Sequence, residues 1–175
     1  MNRPIGVLDS GVGGLTVVQE IMRQLPREEI VYVGDTARCP YGSRPEDEIK
    51  KFSFQLVQFL EQFDPKLIVI ACNTASAVIL EELNASFPIP VIGVIHPGAR
   101  AAIKVTLTGR IGVVGTQGTI RSGAYERALK EIHPGLQVTS LACPTLVPLV
   151  EQGNYESKEA ERIVKEAMAP LLDKQ

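Results

Sequence analysis

The sequence has few of the residues that build metal centres or disulfide frameworks. It holds three cysteines, Cys39, Cys72 and Cys143, and two histidines, His96 and His133. An odd cysteine count at wide spacing gives neither a paired framework nor a zinc motif of the Cys-x-x-Cys type, so no metal is expected. No apolar run approaches the roughly 18–20 residues that span a bilayer. The start, Met1-Asn2-Arg3-Pro4, leads straight into a strand-like segment, without the apolar region and small-residue cleavage site of a signal peptide. The expectation is a cytoplasmic protein with no membrane association. The net charge of −2 provides no general attraction for nucleic acid, so no direct nucleic-acid partner is expected. What is present is ordinary globular material. Of 175 residues, 45% are hydrophobic and 22% charged, enough for one sizeable domain or two small ones.

Short β-branched runs alternate with polar loops and amphipathic stretches. Pro4–Leu8, Ile30–Val33, Lys66–Ala71 and Pro90–Val94 read as strands. Leu15–Leu25, Pro45–Phe63 and Ala75–Asn84 read as helices, with Pro45 in a first turn that also carries Glu46, Asp47 and Glu48. The cycle then restarts. Arg110–Val114 and Leu136–Leu141 read as strands; Ile120–Ile132, Pro144–Gln152 and Ser157–Leu172 read as helices. The layouts of Gly6–Gly11 and Gly112–Gln117 are similar, which hints at two related halves with a boundary near His96–Gly109. Strands alternating with helices require a parallel sheet, and ligands of such sheets bind at the carboxyl ends of the strands. The polar loops fall at those ends.

Cys72 is the most informative residue. It closes the most apolar strand and opens a helix, whose unpaired N–H groups and partial positive charge favour a thiolate below the usual pKa of about 8.5. A buried structural thiol fits the same position. Asn73 and Thr74 can hold a carboxylate or an amine, or can simply cap the helix. Asp9-Ser10-Gly11-Val12-Gly13-Gly14 allows close backbone approach to a ligand but is neither a P-loop nor a dinucleotide fingerprint. Asp9 there could orient an amine or help move a proton, or cap a turn. The loop Asp35–Ser43 is long enough to be functional, with Cys39 read as structural.

Asp9–Leu15, Pro40-Tyr41-Gly42, Ala71-Cys72-Asn73-Thr74-Ala75-Ser76, the Thr116 and Thr119 loop, and Glu151 before Gly153 stand in the order seen in glutamate racemases of the aspartate/glutamate racemase superfamily. The resemblance covers the whole chain. It implies two related three-layer α/β/α halves with mainly parallel sheets, residues 1–96 and 97–175, and an active site in the cleft between them. It also implies cofactor-independent interconversion of L- and D-glutamate, supplying D-glutamate for peptidoglycan, in a protein that is often a homodimer. Two thiols would face each other across the substrate. By this resemblance Cys72 is one of them, Asp9 assists it and Glu151 supports the opposite side. Ser10, Tyr41, Gly42, Asn73 and Thr74 hold the substrate together with Asp9, and Thr116 and Thr119 contribute from the second half.

The second thiol of the family lies in a Cys-Thr-His motif, and no cysteine or histidine follows Glu151 in these 175 residues. Ala142-Cys143-Pro144-Thr145 does not match that motif. The second half is therefore expected to be incomplete relative to the family, and the chain to be inactive alone. Other readings are a racemase for aspartate or another amino acid, a non-catalytic binding fragment, and a cysteine phosphatase or hydrolase. The last lacks the phosphatase arginine between Cys72 and Val78, and neither histidine lies in a motif with Cys72.

Overall fold

A computed structural model describes residues 3–153 and 155–172. The chain folds as two compact units, Met1–Val94 and Ile95–Gln175. The first contains four strands, β1 (Ile5–Asp9), β2 (Ile30–Gly34), β3 (Leu67–Ile70) and β4 (Val91–Gly93), and three helices, α1 (Leu15–Gln24), α2 (Glu46–Glu61) and α3 (Asn73–Ser86). The strands are all parallel, in the order β2-β1-β3-β4. Each consecutive pair is joined through a helix, the crossover that a parallel neighbour needs.

Alternation along the strands sorts side chains onto two faces. Ile5 and Val7 of β1 and Val69 of β3 pack with Val17, Val18 and Ile21 of α1. Leu8, Ile68 and Ile70 point the other way, into a larger core with Leu56, Val57 and Leu60 of α2 and Ile79 and Leu83 of α3. Both faces are covered, so the strands read as continuous apolar runs. Each fully buried aliphatic side chain contributes about 1.5–3 kcal/mol. An exposed ion pair such as Arg23–Glu20 contributes at most about 1 kcal/mol. Packing therefore holds this unit together, and the surface charges tune it. Pro45 stands at the N-cap of α2, one residue before the helix proper, with the three acidic residues in the first turn behind it.

The second unit contains α4 (Ile95–Val105), β5 (Arg110–Gly115), α5 (Gln117–Ser122), α6 (Ala124–Ile132), β6 (Gln137–Ala142), α7 (Leu146–Glu151) and α8 (Lys158–Leu172). The strands β5 and β6 pair in parallel, from Arg110↔Gln137 to Gly115↔Ala142. Two elements differ from the sequence reading. The segment 96–109, in which the sequence reading gave no element, is largely the helix α4, which packs against α6; Pro97 falls in its first turn, where a missing N–H costs nothing. The single helix expected over 120–132 is broken at Gly123, whose φ of +64° ends α5 in the left-handed region and starts α6 in a new direction.

Candidate active site

Strand register builds the centre of the site. Leu8 pairs with Ile70, and β1 and β3 are parallel. Two residues further on, Ser10 and Cys72 stand side by side at the carboxyl edge, on the face shared with α2 and α3. Their side chains meet, Cys72 Sγ lying 3.4 Å from Ser10 Oγ. In a β2-β1-β3-β4 sheet the strand order reverses between β1 and β3, and α1 lies on the opposite face from α2 and α3. The crevice outside the carboxyl ends at such a reversal is where open α/β sheets take their ligands.

Cys72 is itself the N-cap of α3. Its sulfur accepts the Ala75 N–H at 3.4 Å, a role the sequence had offered to Asn73 and Thr74. Those two residues form the first turn, Asn73 exposed and Thr74 buried. The thiol does not behave as its helix-terminal position suggests. Burial, and next the negative charge of Asp9, push the Cys72 pKa up, against the lowering contributions of Ser10 and the Ala75 N–H. Desolvation of a thiolate outweighs three hydrogen bonds, from the Ser10 hydroxyl and the Ser10 and Ala75 backbone. The sequence expectation of a lowered pKa is therefore overturned, and the resting thiol carries its proton at neutral pH.

Asp9 ends β1 and is buried. Its Oδ2 accepts the N–H groups of Gly11 (3.2 Å) and Gly14 (2.9 Å), holding the glycine loop against the start of α1. The Tyr32 hydroxyl donates to the Gly11 carbonyl at 2.7 Å and lies 3.5 Å from the same carboxylate oxygen. Asp9 thus shapes the loop and also places its charge near Cys72.

Tyr41 is 1% exposed and belongs to the same buried cluster as Cys72. Its hydroxyl donates to Asp35 Oδ2 at 2.5 Å, and Arg38 Nε pairs with that oxygen at 2.6 Å. The Arg38 guanidinium lies 4.2 Å from the centroid of the Phe52 ring, which also packs against Tyr41. Burial and the bond to Asp35 hold the Tyr41 phenol protonated far above its ordinary range, and a Cys72 thiolate would raise it further. Gly42 is buried beside it. Asp35, quoted in the sequence only as part of a long loop, is a candidate site residue that sequence reasoning missed. The signal lay in register: Asp9 pairs with Gly34, so Asp35 follows in the same row as Ser10 and Cys72.

The remaining candidates belong to the second unit. Thr116 caps α5, accepting the Thr119 N–H at 3.2 Å, with the two hydroxyls 3.0 Å apart. Glu151, half-buried, ends α7. Cys143 is buried just after β6 and donates to the Ala167 carbonyl of α8 at 3.6 Å; burial pushes its thiol up, as befits a structural role. Among the described residues, no group of three or more His, Cys, Asp or Glu could hold a metal ion, and no helix is long and apolar enough to cross a membrane.

A sequence model of the Asp/Glu/Hydantoin racemase family matches residues 5–175. The chain belongs to this family. Within it, the chain is 56% identical over 171 residues to a glutamate racemase of Bacillus cereus, a match that covers 98% of the chain and 64% of that relative. The crystal structure of a glutamate racemase isoform from Bacillus anthracis superposes with a TM-score of 0.93 at 57% identity, covering 96% of this chain and 63% of that one. A glutamate racemase from Francisella tularensis, solved in complex with D-glutamate, gives a TM-score of 0.91 at 39% identity over 99% of this chain and 65% of that one. The chain thus spans a little under two thirds of the length of these racemases, and the α/β fold with parallel sheets is the one they share.

Proposed function

We propose that the chain carries the Cys72 side of a cofactor-independent glutamate racemase site. The observation that carries this reading is the Cys72 sulfur itself, at the β1/β3 reversal, 3.4 Å from Ser10 Oγ and capping α3. The F. tularensis relative binds D-glutamate, and the B. cereus relative is named for racemisation of glutamate.

In this reading the Cys72 thiolate removes the α-hydrogen of a bound glutamate, forming S–H and leaving charge at Cα and its carboxylate. That charge is met by the N–H and hydroxyl donors of the Cys72–Thr74 turn and by Ser10, in a site poor in water. Because the resting thiol is protonated, the base form must be generated on binding. A substrate ammonium in the site offsets the Asp9 charge that helps keep the proton on sulfur. Asp9 therefore assists Cys72 both by its field and by holding the loop. Tyr41, Gly42, Asn73 and Thr74 position the substrate, and Glu151 supports the opposite side. Inversion needs a proton delivered from the face opposite the one it left. Within these residues Cys72 is the sole thiol in a racemase motif. The reading extends to a cytoplasmic homodimer that supplies D-glutamate for peptidoglycan; its support is the resemblance and the relatives' names.

The test follows L-glutamate with the purified 175-residue chain in heavy water. Loss of the Cα–H signal by NMR, with no matching growth of D-glutamate by optical rotation, is the expected result. Exchange that persists in Cys72→Ser, or no exchange in the wild-type chain, would refute the assignment of Cys72. Inversion keeping pace with exchange would show a second proton donor at work and refute the reading of a one-sided site.

A further inference from the structure

The phenol of Tyr41 has one proton, and the structure shows where it goes. It is donated to Asp35 Oδ2, whose charge is balanced by Arg38. Arg38 is fixed in turn by Gln55 (2.6 Å) and by the Phe52 face, both on α2. Arg44 closes the loop over the same ring and donates to the Arg38 carbonyl at 2.7 Å. The whole 35–44 loop is thus fastened to α2 around one carboxylate. A hydroxyl whose hydrogen is committed can offer only lone pairs to anything else.

We infer that Asp35 is a positioning residue that sets the hydrogen-bonding polarity of Tyr41, making its oxygen an acceptor in the Cys72 site. The consequence is a selection rule. A group seated at Tyr41 must bring a donor, so a ligand with an ammonium is favoured over one with a carbonyl at the same carbon. An oxygen that accepts only meets the carbonyl lone pairs with lone pairs of its own, and a mismatched buried polar pair leaves both groups unsatisfied. The inference rests on the proposal that glutamate binds beside Cys72, and it adds why the amino group is required there. It also gives Arg38 a role without a ligand contact: its guanidinium pairs with Asp35 Oδ2 and holds that oxygen where the Tyr41 hydroxyl donates to it.

The test uses protection of Cys72 from iodoacetamide, read by mass spectrometry of the Cys72 peptide so that Cys39 does not interfere. L-Glutamate and 2-oxoglutarate are compared as protectants; they differ at the α-carbon, ammonium against carbonyl. Three variants are compared with the wild type. Asp35→Leu removes the acceptor and frees the Tyr41 proton to turn toward the site. Asp35→Asn keeps an acceptor oxygen for Tyr41. Tyr41→Phe removes the hydroxyl and leaves Asp35 with Arg38, which keeps the question answerable if Asp35→Leu fails to fold.

The expected result is a preference for glutamate in the wild type that falls roughly tenfold in Asp35→Leu and in Tyr41→Phe, as loss of one charge-assisted hydrogen bond implies. Asp35→Asn is expected to retain most of it. A purely structural role for Asp35 would weaken both ligands alike and leave their ratio unchanged. An unchanged ratio in Tyr41→Phe, or an equal fall in Asp35→Asn and Asp35→Leu, would overturn the inference while glutamate binding stood. No protection of the wild type by either ligand would overturn the substrate reading and this inference with it.

Discussion

Adding a single methyl group at Gly14 tests whether the loop after β1 is held as tightly as its hydrogen bonds suggest. A Cβ at this position would lie 2.7 Å from Asp9 Cβ and 2.9 Å from Ala71 Cβ. Non-bonded carbons rest at about 3.5–4.0 Å, so the methyl must gain roughly 0.6–1 Å from two strand ends at once. Backbone conformation is not the obstacle, because Gly14 sits at φ −62° and ψ −15°, open to any residue. Neither neighbour yields easily, since Asp9 ends β1 and Ala71 follows β3, where its N–H is bonded to the Leu8 carbonyl of β1. Moving Gly14 also stretches its 2.9 Å bond to the Asp9 carboxylate. Overpacking costs about 1–3 kcal/mol and a weakened charge-assisted hydrogen bond up to about 1.5–3 kcal/mol, so Gly14→Ala is expected to lose on the order of 2–5 kcal/mol. Gly13 is the control. A Cβ there would have its nearest neighbour at 4.0 Å, an ordinary contact with Asp9 Oδ2. Gly13→Ala should be neutral, or stabilise by up to about 1 kcal/mol by narrowing the unfolded ensemble. Urea unfolding followed by far-UV circular dichroism reads both. With a slope of about 1–3 kcal/mol per molar, Gly14→Ala should lower its midpoint by about 1 M or more. Equal midpoints for the two variants, or a larger loss at Gly13, would show that the loop is not packed as described.

Two further outcomes follow from the same geometry. Alkylation of Cys72 by iodoacetamide should accelerate only at pH above the ordinary thiol range, about 8.5, because burial and Asp9 both disfavour the thiolate. Asp9→Asn removes a negative neighbour and keeps a loop acceptor, so the midpoint of the rate–pH curve should move down; a midpoint that stayed or rose would contradict the sign of the Asp9 effect. Ser53 lies fully buried on α2, and its Oγ has no hydrogen-bond partner among the described residues. Ser53→Ala, a better helix former without the stranded hydroxyl, should raise stability by about 1 kcal/mol in the same urea assay; a loss of that size would mean the hydroxyl is satisfied after all.

The repeating order of strand, polar loop and helix was legible in the first unit because each apolar run there is long enough to declare its period, and each loop carries turn chemistry. Leu67–Ala71 needed no context, since a strand covered on both faces has no polar residues to blur it. The helix around His96–Gly109 was not legible: its Pro97 and Gly98 imitate a linker, and only packing against α6 overrides them. The break at Gly123 was also hidden, because a glycine within an amphipathic stretch is tolerated as often as it terminates one. Cys72, Ser10 and Asp9 were recognisable as candidates from their motifs and their places at strand ends. Asp35 was not, because its meaning depends on which strand lies next to which.

By itself the sequence determined most of the elements, the parallel arrangement and the candidate sulfur. These follow from periodicity, from the crossover each parallel pair demands, and from motif order, all properties of neighbouring residues along the chain. Tertiary structure decided the protonation of that sulfur and the direction in which Tyr41 spends its proton. A pKa and a hydrogen-bond polarity are set by the charges and the solvent left nearby after folding: Asp9 comes beside Cys72 through the register of β1 with β3, and Asp35 and Arg38 meet Tyr41 through the folding of the loop after β2.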